Sequence, residues 1–420
     1  MIQNKKPKSE GRRDTHEKKT VKTELKISER TSLFNPALIP EDAKKIIQEF
    51  EAVVSSTHPL NSKQRALLSE QIRQLSHNLT DERGSRRVGY MNQTTALSAY
   101  VHYFLWWNLV RLVRLFSNMS AEFFNLDDGS VCVDLGCGPL TVVTALFLAR
   151  PELRNKKLTW YCVDISQQAS AFGEDIFLSV CARLKAGQWK IIRVKGEAGT
   201  KIKEKADLVT SANIFNEMND KPGVPPDFLA KNYTEKIYSY IDPKNPKAKI
   251  ITIEPGDPKS ARLVSLMRDS YIRKGYIPAA PCCHCENCPM NGQNAKKGGK
   301  WCNFAFSTED VPSALKRLSE KADLPKDRAV LCFVAVEKKE TAAEKTKETE
   351  KAEEKFSFRI TSDPLRLPSH RTGYYACSKE GLLLVVTDKK VFSGECFTLA
   401  SKPKKMLTDQ KSGALMFSLN

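Results

Sequence analysis

One stretch constrains the fold of this chain more than any other: Val131-Cys132-Val133-Asp134-Leu135-Gly136-Cys137-Gly138-Pro139. Its apolar start reads as a buried strand, and Thr141 to Leu148 behind it reads as a helix. Glycine at 136 and 138 lets the backbone turn tightly and approach a ligand with no Cβ in the way. Strand candidates then alternate with helical patterns: Val131–Leu135, Thr159–Val163, Ile191–Val194, Leu208–Ser211, Lys249–Ile253 and Val330–Val336. That alternation predicts an α/β fold, a doubly wound and mostly parallel sheet with helices on both faces.

The turn also says which cofactor it suits. Pro139, Leu140 and Thr141 stand where a dinucleotide fingerprint has its third glycine, which weakens NAD and favours S-adenosylmethionine (SAM). Asp164 ends the next strand, about 26 residues after Gly138, where a carboxylate can accept both ribose hydroxyls. Asp134-Leu135-Gly136-Cys137-Gly138 with that acid resembles the class I SAM-dependent methyltransferases. The resemblance implies a cofactor pocket lined by Asp134, Gly136, Gly138, Asp164, Glu197 and Asn213; Glu197 and Asn213 also read as ordinary loop residues.

Catalytic residues stay unassigned. Ser211 to Met218, after the fourth strand, holds no cysteine to attack a pyrimidine base and no Asn/Asp-Pro-Pro-aromatic turn for an exocyclic amine. Glu217 is a candidate base, although an acid opening a helix equally reads as a partner for the helix dipole.

The 420 residues allow two to four domains, and a formal charge of +18 favours a polyanionic partner. The longest apolar run, Tyr100 to Phe116, carries His102, Asn108, Arg111 and Arg114, which argues against a membrane span. No apolar secretion segment opens the chain, and Glu10, Asp14, Glu17, Glu24 and Glu29 spoil a mitochondrial presequence. The expectation is a cytoplasmic protein, with the mitochondrial matrix as the alternative, and with neither membrane nor DNA as partner. Five segments are expected: a basic flexible arm over 1–32, a helical region over 33–125, a SAM-binding domain over 126–338, a charged linker over 339–355 and a β-rich region over 356–420.

Within the SAM-binding domain a metal insertion is expected over 278–306. Pro281-Cys282-Cys283-His284-Cys285-Glu286-Asn287-Cys288-Pro289 places four cysteines and a histidine within seven residues, too dense for core packing. Cys282, Cys285 and Cys288 follow a ferredoxin-like spacing but lack its fourth cysteine, so a distant ligand is needed. Zinc on Cys285, Cys288, Cys302 and one more ligand is the competing reading. The other six cysteines, Cys132, Cys137, Cys162, Cys181, Cys332 and Cys396, read as small buried hydrophobes.

Taken in order, the glycine turn, Ile253-Glu254-Pro255-Gly256-Asp257-Pro258, the cysteine run, Trp301-Cys302-Asn303-Phe304 and Ala376-Cys377-Ser378-Lys379-Glu380-Gly381 carry a narrower likeness. From about Tyr90 to Leu399 the chain resembles the methyltransferase-like family tied to the small ribosomal subunit, known as a mitochondrial assembly factor with bacterial relatives. That resemblance implies a [4Fe–4S] cluster on Cys282, Cys288, Cys302 and Cys377. It also implies the small subunit and its rRNA as partners. The function expected is methylation of rRNA or assembly of the ribosome in support of translation. The alternative is a non-catalytic RNA-binding maturation factor with structural SAM and a zinc or iron–sulfur module. Lys296, Lys297 and Lys300, Lys402, Lys404 and Lys405, and Arg83, Arg86 and Arg87 are candidate phosphate contacts, or solvated loops.

Overall fold

The computed structural model describes residues 25–80, 90–218, 223–338 and 355–419. Strand β1 (Ile27–Thr31) is followed by helices α1 (Glu41–Gln48), α2 (Phe50–Thr57), α3 (Ser62–Thr80), α4 (Thr94–Ala99) and α5 (Leu105–Asn118). Helices α4 and α5 run on through a π-helical turn at Tyr100–Phe104, the long helix the apolar spacing predicts. Within the helical region the chain bends at Glu49, which separates α1 from α2.

The central sheet then forms from β2 (Val131–Leu135), α6 (Thr141–Ala149), β3 (Thr159–Asp164), α7 (Gln167–Arg183), β4 (Lys190–Lys195), β5 (Leu208–Ala212), α8 (Pro226–Tyr238), β6 (Lys249–Glu254), α9 (Pro258–Arg273), β7 (Tyr276–Ala280), β8 (Phe304–Ser307), α10 (Ser313–Lys321) and β9 (Arg328–Lys338). The strands lie in the order β4-β3-β2-β5-β6-β9-β7, with β8 paired to the first half of β9. β2 to β6 are parallel; β9 enters antiparallel between β6 and β7. A parallel sheet closed by one antiparallel strand inserted before the edge is the class I SAM methyltransferase topology. β6 shows why the chain takes this form: Lys-Ile-Ile-Thr-Ile-Glu is buried along its whole length, as a strand covered on both faces must be.

The helical region shares one core with a face of this sheet. Trp106 donates its indole N–H to Ile47 O (2.8 Å) and Trp107 donates to Ser319 Oγ (3.2 Å), while Phe147, Phe177, Trp160 and Trp189 form an aromatic stack beneath α6 and α7. The Arg154 guanidinium ties α1 to the sheet by binding Asp42 and holds the Asp42 carboxyl below its ordinary range.

The tail builds a second sheet from β10 (Phe356–Ile360), β11 (Leu365–Arg366), β12 (Thr372–Ser378), β13 (Gly381–Val386), β14 (Cys396–Leu399), β15 (Leu407–Thr408) and β16 (Leu415–Ser418), around its own core of Phe358, Phe397 and Phe417. The flexible arm expected through residue 32 is corrected at its end, because β1 pairs with β14 and forms the edge of the tail sheet. Alternating Ile27, Glu29 and Thr31 can supply that edge despite their polarity, since an edge strand needs ladder bonds more than apolar side chains. Residues 1–24 of the arm and 339–354 of the linker lie outside the described residues, as do Arg83, Arg86 and Arg87.

Candidate cofactor cavity and cysteine centre

The order of strands reverses between β2 and β5, and in open α/β sheets the ligand crevice lies at such a switch point, beyond the carboxyl ends of the strands. A cavity of about 460 Å³ opens there. Asp134, Gly136, Gly138, Asp164, Glu197 and Asn213 all line it. Gly136 and Gly138 have φ of +62° and +48°, and a Cβ on Gly136 would sit 2.6 Å from the Ile214 side chain. The turn therefore requires glycine at 136 for two independent reasons.

Asp164 braces this turn. Its Oδ2 accepts the Gly138 N–H (2.8 Å) and its Oδ1 accepts the Ser166 N–H (2.7 Å). Burial raises the Asp164 carboxyl above its ordinary range, and these N–H donors pull it back. Each oxygen keeps a further lone pair for a ligand hydroxyl. Asp134 is almost fully buried; Oδ1 accepts from Thr210 (2.7 Å) and Oδ2 has no partner. Burial pushes its carboxyl up to about 7, against the Thr210 bond.

Several residues here escape a reading of local spacing. Tyr90, Met91, Tyr100 and Asn108 close the cavity from the helical region, and Asn92 accepts from the hydroxyl of Ser166 (2.8 Å). Glu254, at the end of β6, is wholly buried, and its two oxygens accept the N–H groups of Phe215 and Asn216 (2.9 and 3.1 Å). Burial pushes it up to about 8, against the two backbone bonds that favour the carboxylate. Glu217 lines the cavity with the Tyr90 hydroxyl 3.5 Å from its Oε1.

The second centre lies where the Cys-rich loop meets the tail sheet. Cys282 and Cys288 of the Cys-rich loop, Cys302 before β8 and Cys377 of β12 come from three segments of the chain, and every pair among them interacts electrostatically. Burial raises all four thiols above their ordinary range. Arg268 of α9, itself buried, donates to Cys282 Sγ (3.2 Å) and to the carbonyls of His284 and Glu286 (2.9 and 2.8 Å). Nothing in the sequence around Arg268 marks it out from a solvated helix face. His284 Nε2 lies 3.0 Å from Cys377 Sγ. Among the described residues no three His, Cys, Asp or Glu side chains stand close enough to hold one metal ion.

Cys285 is exposed and outside this group, and Cys396 departs from its expected role as a packing residue. The Cys283 thiol donates to the carbonyls of Ser357 and Cys377 (both 3.7 Å), and its proximity holds the Cys396 thiol below its ordinary range. Trp301 is turned inward, its indole N–H on Gly256 O (3.1 Å), where Asn303 also donates (3.1 Å). Of the basic clusters, Lys300 covers the Tyr375 ring (4.6 Å) and Lys402 pairs with Glu380 (2.7 Å), so both are engaged within the chain. No helix among the described residues is long and apolar enough to cross a membrane.

A family profile described as "Mitochondrial small ribosomal subunit Rsm22" matches residues 129–402, which span the cofactor cavity, the cysteine run and the tail sheet. The chain belongs to the Rsm22 family. Among curated proteins none matches the chain. Solved structures similar to it include a SAM-dependent methyltransferase from Geobacter sulfurreducens in complex with S-adenosyl-L-homocysteine (13% identity, 55% of this chain, 89% of that one, TM-score 0.29). Another is a SAM-dependent methyltransferase from Thiobacillus denitrificans, also with S-adenosyl-L-homocysteine (15% identity, 55% of this chain, 90% of that one, TM-score 0.28). A third is a precorrin-6y C5,15-methyltransferase from Geobacter metallireducens (13% identity, 52% of this chain, 85% of that one, TM-score 0.28). The fold of this Rsm22 family member rests on its own strand order and glycine turn.

Proposed function

We propose that this chain binds SAM in the cavity beside Gly136 and Gly138 and acts as an rRNA methyltransferase of the small ribosomal subunit. The single observation that carries the reading is the convergence of Asp134, Gly136, Gly138, Asp164, Glu197 and Asn213 on one cavity at the switch point of the sheet. The family description supports the small subunit as partner, and it supports the mitochondrial matrix over the cytoplasm. The surplus of +18 supports an RNA surface.

In this reading Asp164 takes the ribose hydroxyls, the glycine turn admits the rest of the cofactor, and Glu197 and Asn213 border it. When bound, SAM supplies an electrophilic methyl group. Tyr90, Met91, Tyr100 and Asn108 line the cavity from the helical region. Glu217 is the carboxylate at the wall, held near Tyr90, and can take a proton from the atom that is methylated.

Cys282, Cys288, Cys302 and Cys377 would hold a [4Fe–4S] cluster. Four buried, mutually interacting thiols support this reading, and Arg268 donates to Cys282 Sγ, where it would offset thiolate charge. When bound, the cluster would pin the Cys-rich loop to β12 of the tail.

A second reading, an assembly factor in which SAM is structural, is favoured by Ser211 to Met218, which holds neither a cysteine nucleophile nor an Asn/Asp-Pro-Pro-aromatic turn. The deciding experiment is transfer of labelled methyl from SAM to small-subunit particles from cells lacking this protein, with Asp164→Ala as control. Label on the rRNA, lost in the control, is expected. No label, with SAM and particle both bound, would establish the assembly factor instead.

A further inference from the structure

Three consecutive residues, Glu254-Pro255-Gly256, join the cofactor cavity to the cysteine centre. Glu254, at the end of β6, takes the N–H groups of Phe215 and Asn216 on its two carboxyl oxygens, and Ile253 O beside it takes the N–H of Asn213 (2.9 Å). These bonds fix the segment after β5, of which Asn213, Ile214, Glu217 and Met218 line the cavity. Two residues on from Glu254, the Gly256 carbonyl accepts the Trp301 indole N–H and the Asn303 amide N–H (3.1 Å each), and these are the residues on either side of Cys302. The carbonyl between, that of Pro255, accepts the Cys332 thiol (3.1 Å).

Little slack separates these bonds. A Cβ on Gly256 would lie 2.3 Å from Val330 Cγ1 and 3.4 Å from Asn303 Cβ, so β9 and the Cys302 segment already fill the space beside the turn. Helix α9 leaves the same turn, its first N–H groups capped by Asp257, and further along it Arg268 donates to Cys282. The turn is therefore bonded to the cavity wall at Glu254, and to the cysteine centre both at Gly256 and through α9. Packed residues and hydrogen bonds in such a chain carry coupling between sites. A ligand whose wall is already fixed loses less conformational entropy on binding, which makes two sites cooperate.

We propose that Trp301 and Asn303 are positioning residues for the cofactor cavity: they fix Glu254-Pro255-Gly256, and ligation of Cys302 between them tightens SAM binding through the wall formed by residues 213–218. The inference rests on the two readings above, SAM in the cavity and a metal cluster on the cysteines, and adds that each site senses the other. By linkage, whatever tightens SAM when the cysteine centre is filled also favours the filled centre when SAM is bound.

The test is SAM affinity by calorimetry for the full chain, purified without oxygen and then stripped with a chelator, in wild type, Trp301→Phe, and Trp301→Phe combined with Asn303→Leu. Phe and Leu keep apolar bulk and remove the two donors to Gly256. Wild type is expected to bind SAM about 10-fold more tightly loaded than stripped, within the usual range for coupled sites. The double variant should lose that difference while keeping its iron, and Trp301→Phe, which leaves the Asn303 bond, should lose part of it. SAM should also change the visible circular dichroism of the loaded wild type and leave that of the double variant unchanged, a signature that a merely structural role would not give. A second arm needs neither SAM nor metal: hydrogen exchange over residues 213–218 should be faster in the stripped double variant than in stripped wild type. Equal SAM affinity of loaded and stripped wild type would overturn the proposal, as would a difference that persists in the double variant, or unchanged exchange over 213–218. Faster exchange in a protein that binds no SAM or carries no iron would support the link between the segments and remove the corresponding reading above.

Discussion

Asp164 Oδ2 accepts the backbone N–H of Gly138 across 2.8 Å, so the acid at the end of β3 holds in place the turn that ends β2. In the proposed reading the same carboxylate that shapes the turn would also take the cofactor's ribose. Asp164→Ala removes both acceptors and is expected to weaken SAM binding by about 10- to 100-fold, the range for hydrogen bonds to a charged group. Asp164→Asn keeps one acceptor and should fall between. Calorimetric titration of SAM into the three proteins checks this, and equal affinities would remove Asp164 from the site.

Asp134 predicts how stability depends on pH in the cofactor-free protein. Its carboxyl is pushed up to about 7 in the folded chain, so between its unfolded value near 4 and pH 7 the folded state binds more protons than the unfolded state. Its contribution is present below about pH 4 and is lost as pH rises towards 7, on the order of 4 kcal/mol in all. Glu254 adds a slope of the same sign up to about pH 8. Asp134→Asn should flatten the fall in urea midpoint between pH 4 and 7; a slope as steep as that of wild type would place the proton elsewhere.

Gly173 is the point where α7 touches the glycine turn: a Cβ there would lie 2.2 Å from the carbonyl carbon of Pro139. Alanine is the better helix former by about 1 kcal/mol, yet Gly173→Ala is expected to lower stability by about 1–3 kcal/mol through overpacking. Because the clash is with the turn's backbone, SAM affinity should fall as well. A variant that melts higher and binds SAM normally would show that α7 can shift away.

The cysteine centre makes its own prediction. Protein purified without oxygen is expected to carry about four irons with matching sulfide, and Cys302→Ser should lose them. That loss should also raise hydrogen exchange in both the Cys-rich loop and β12, since Cys302 and Cys377 would no longer be joined. One zinc and no sulfide in the wild type would sink the cluster assignment; full iron in Cys302→Ser would take Cys302 off the ligand set.

The cofactor cavity was legible where it depends on local spacing. Gly136, Gly138 and Asp164 follow from a strand, a turn and the next strand, and the parallel sheet brings their ends together. Tyr90, Tyr100 and Asn108 were not legible, because a residue on an amphipathic helix reads as core until the helix is known to lie over a strand's end. Glu254 was visible as part of Glu-Pro-Gly, but its role as a buried acceptor depends on the N–H groups of Phe215 and Asn216, which no pattern announces. Cys396 was hidden by its strand, where a cysteine looks like any small apolar residue; its polar surroundings come from Cys283 first and then Arg359, which the fold brings to it from other segments.

β1 lies beside β14, so the first described strand shares a ladder with one some 370 residues further on. Synthesis delivers a chain from its N-terminus, and this pairing is among the most distant in sequence that the fold contains. Ile27–Thr31 therefore cannot pair in this ladder until β14 has been synthesised, after every strand of the cofactor-binding sheet. Cys377 too is delivered after Cys282, Cys288 and Cys302, so the four thiols can meet only once the tail has been made.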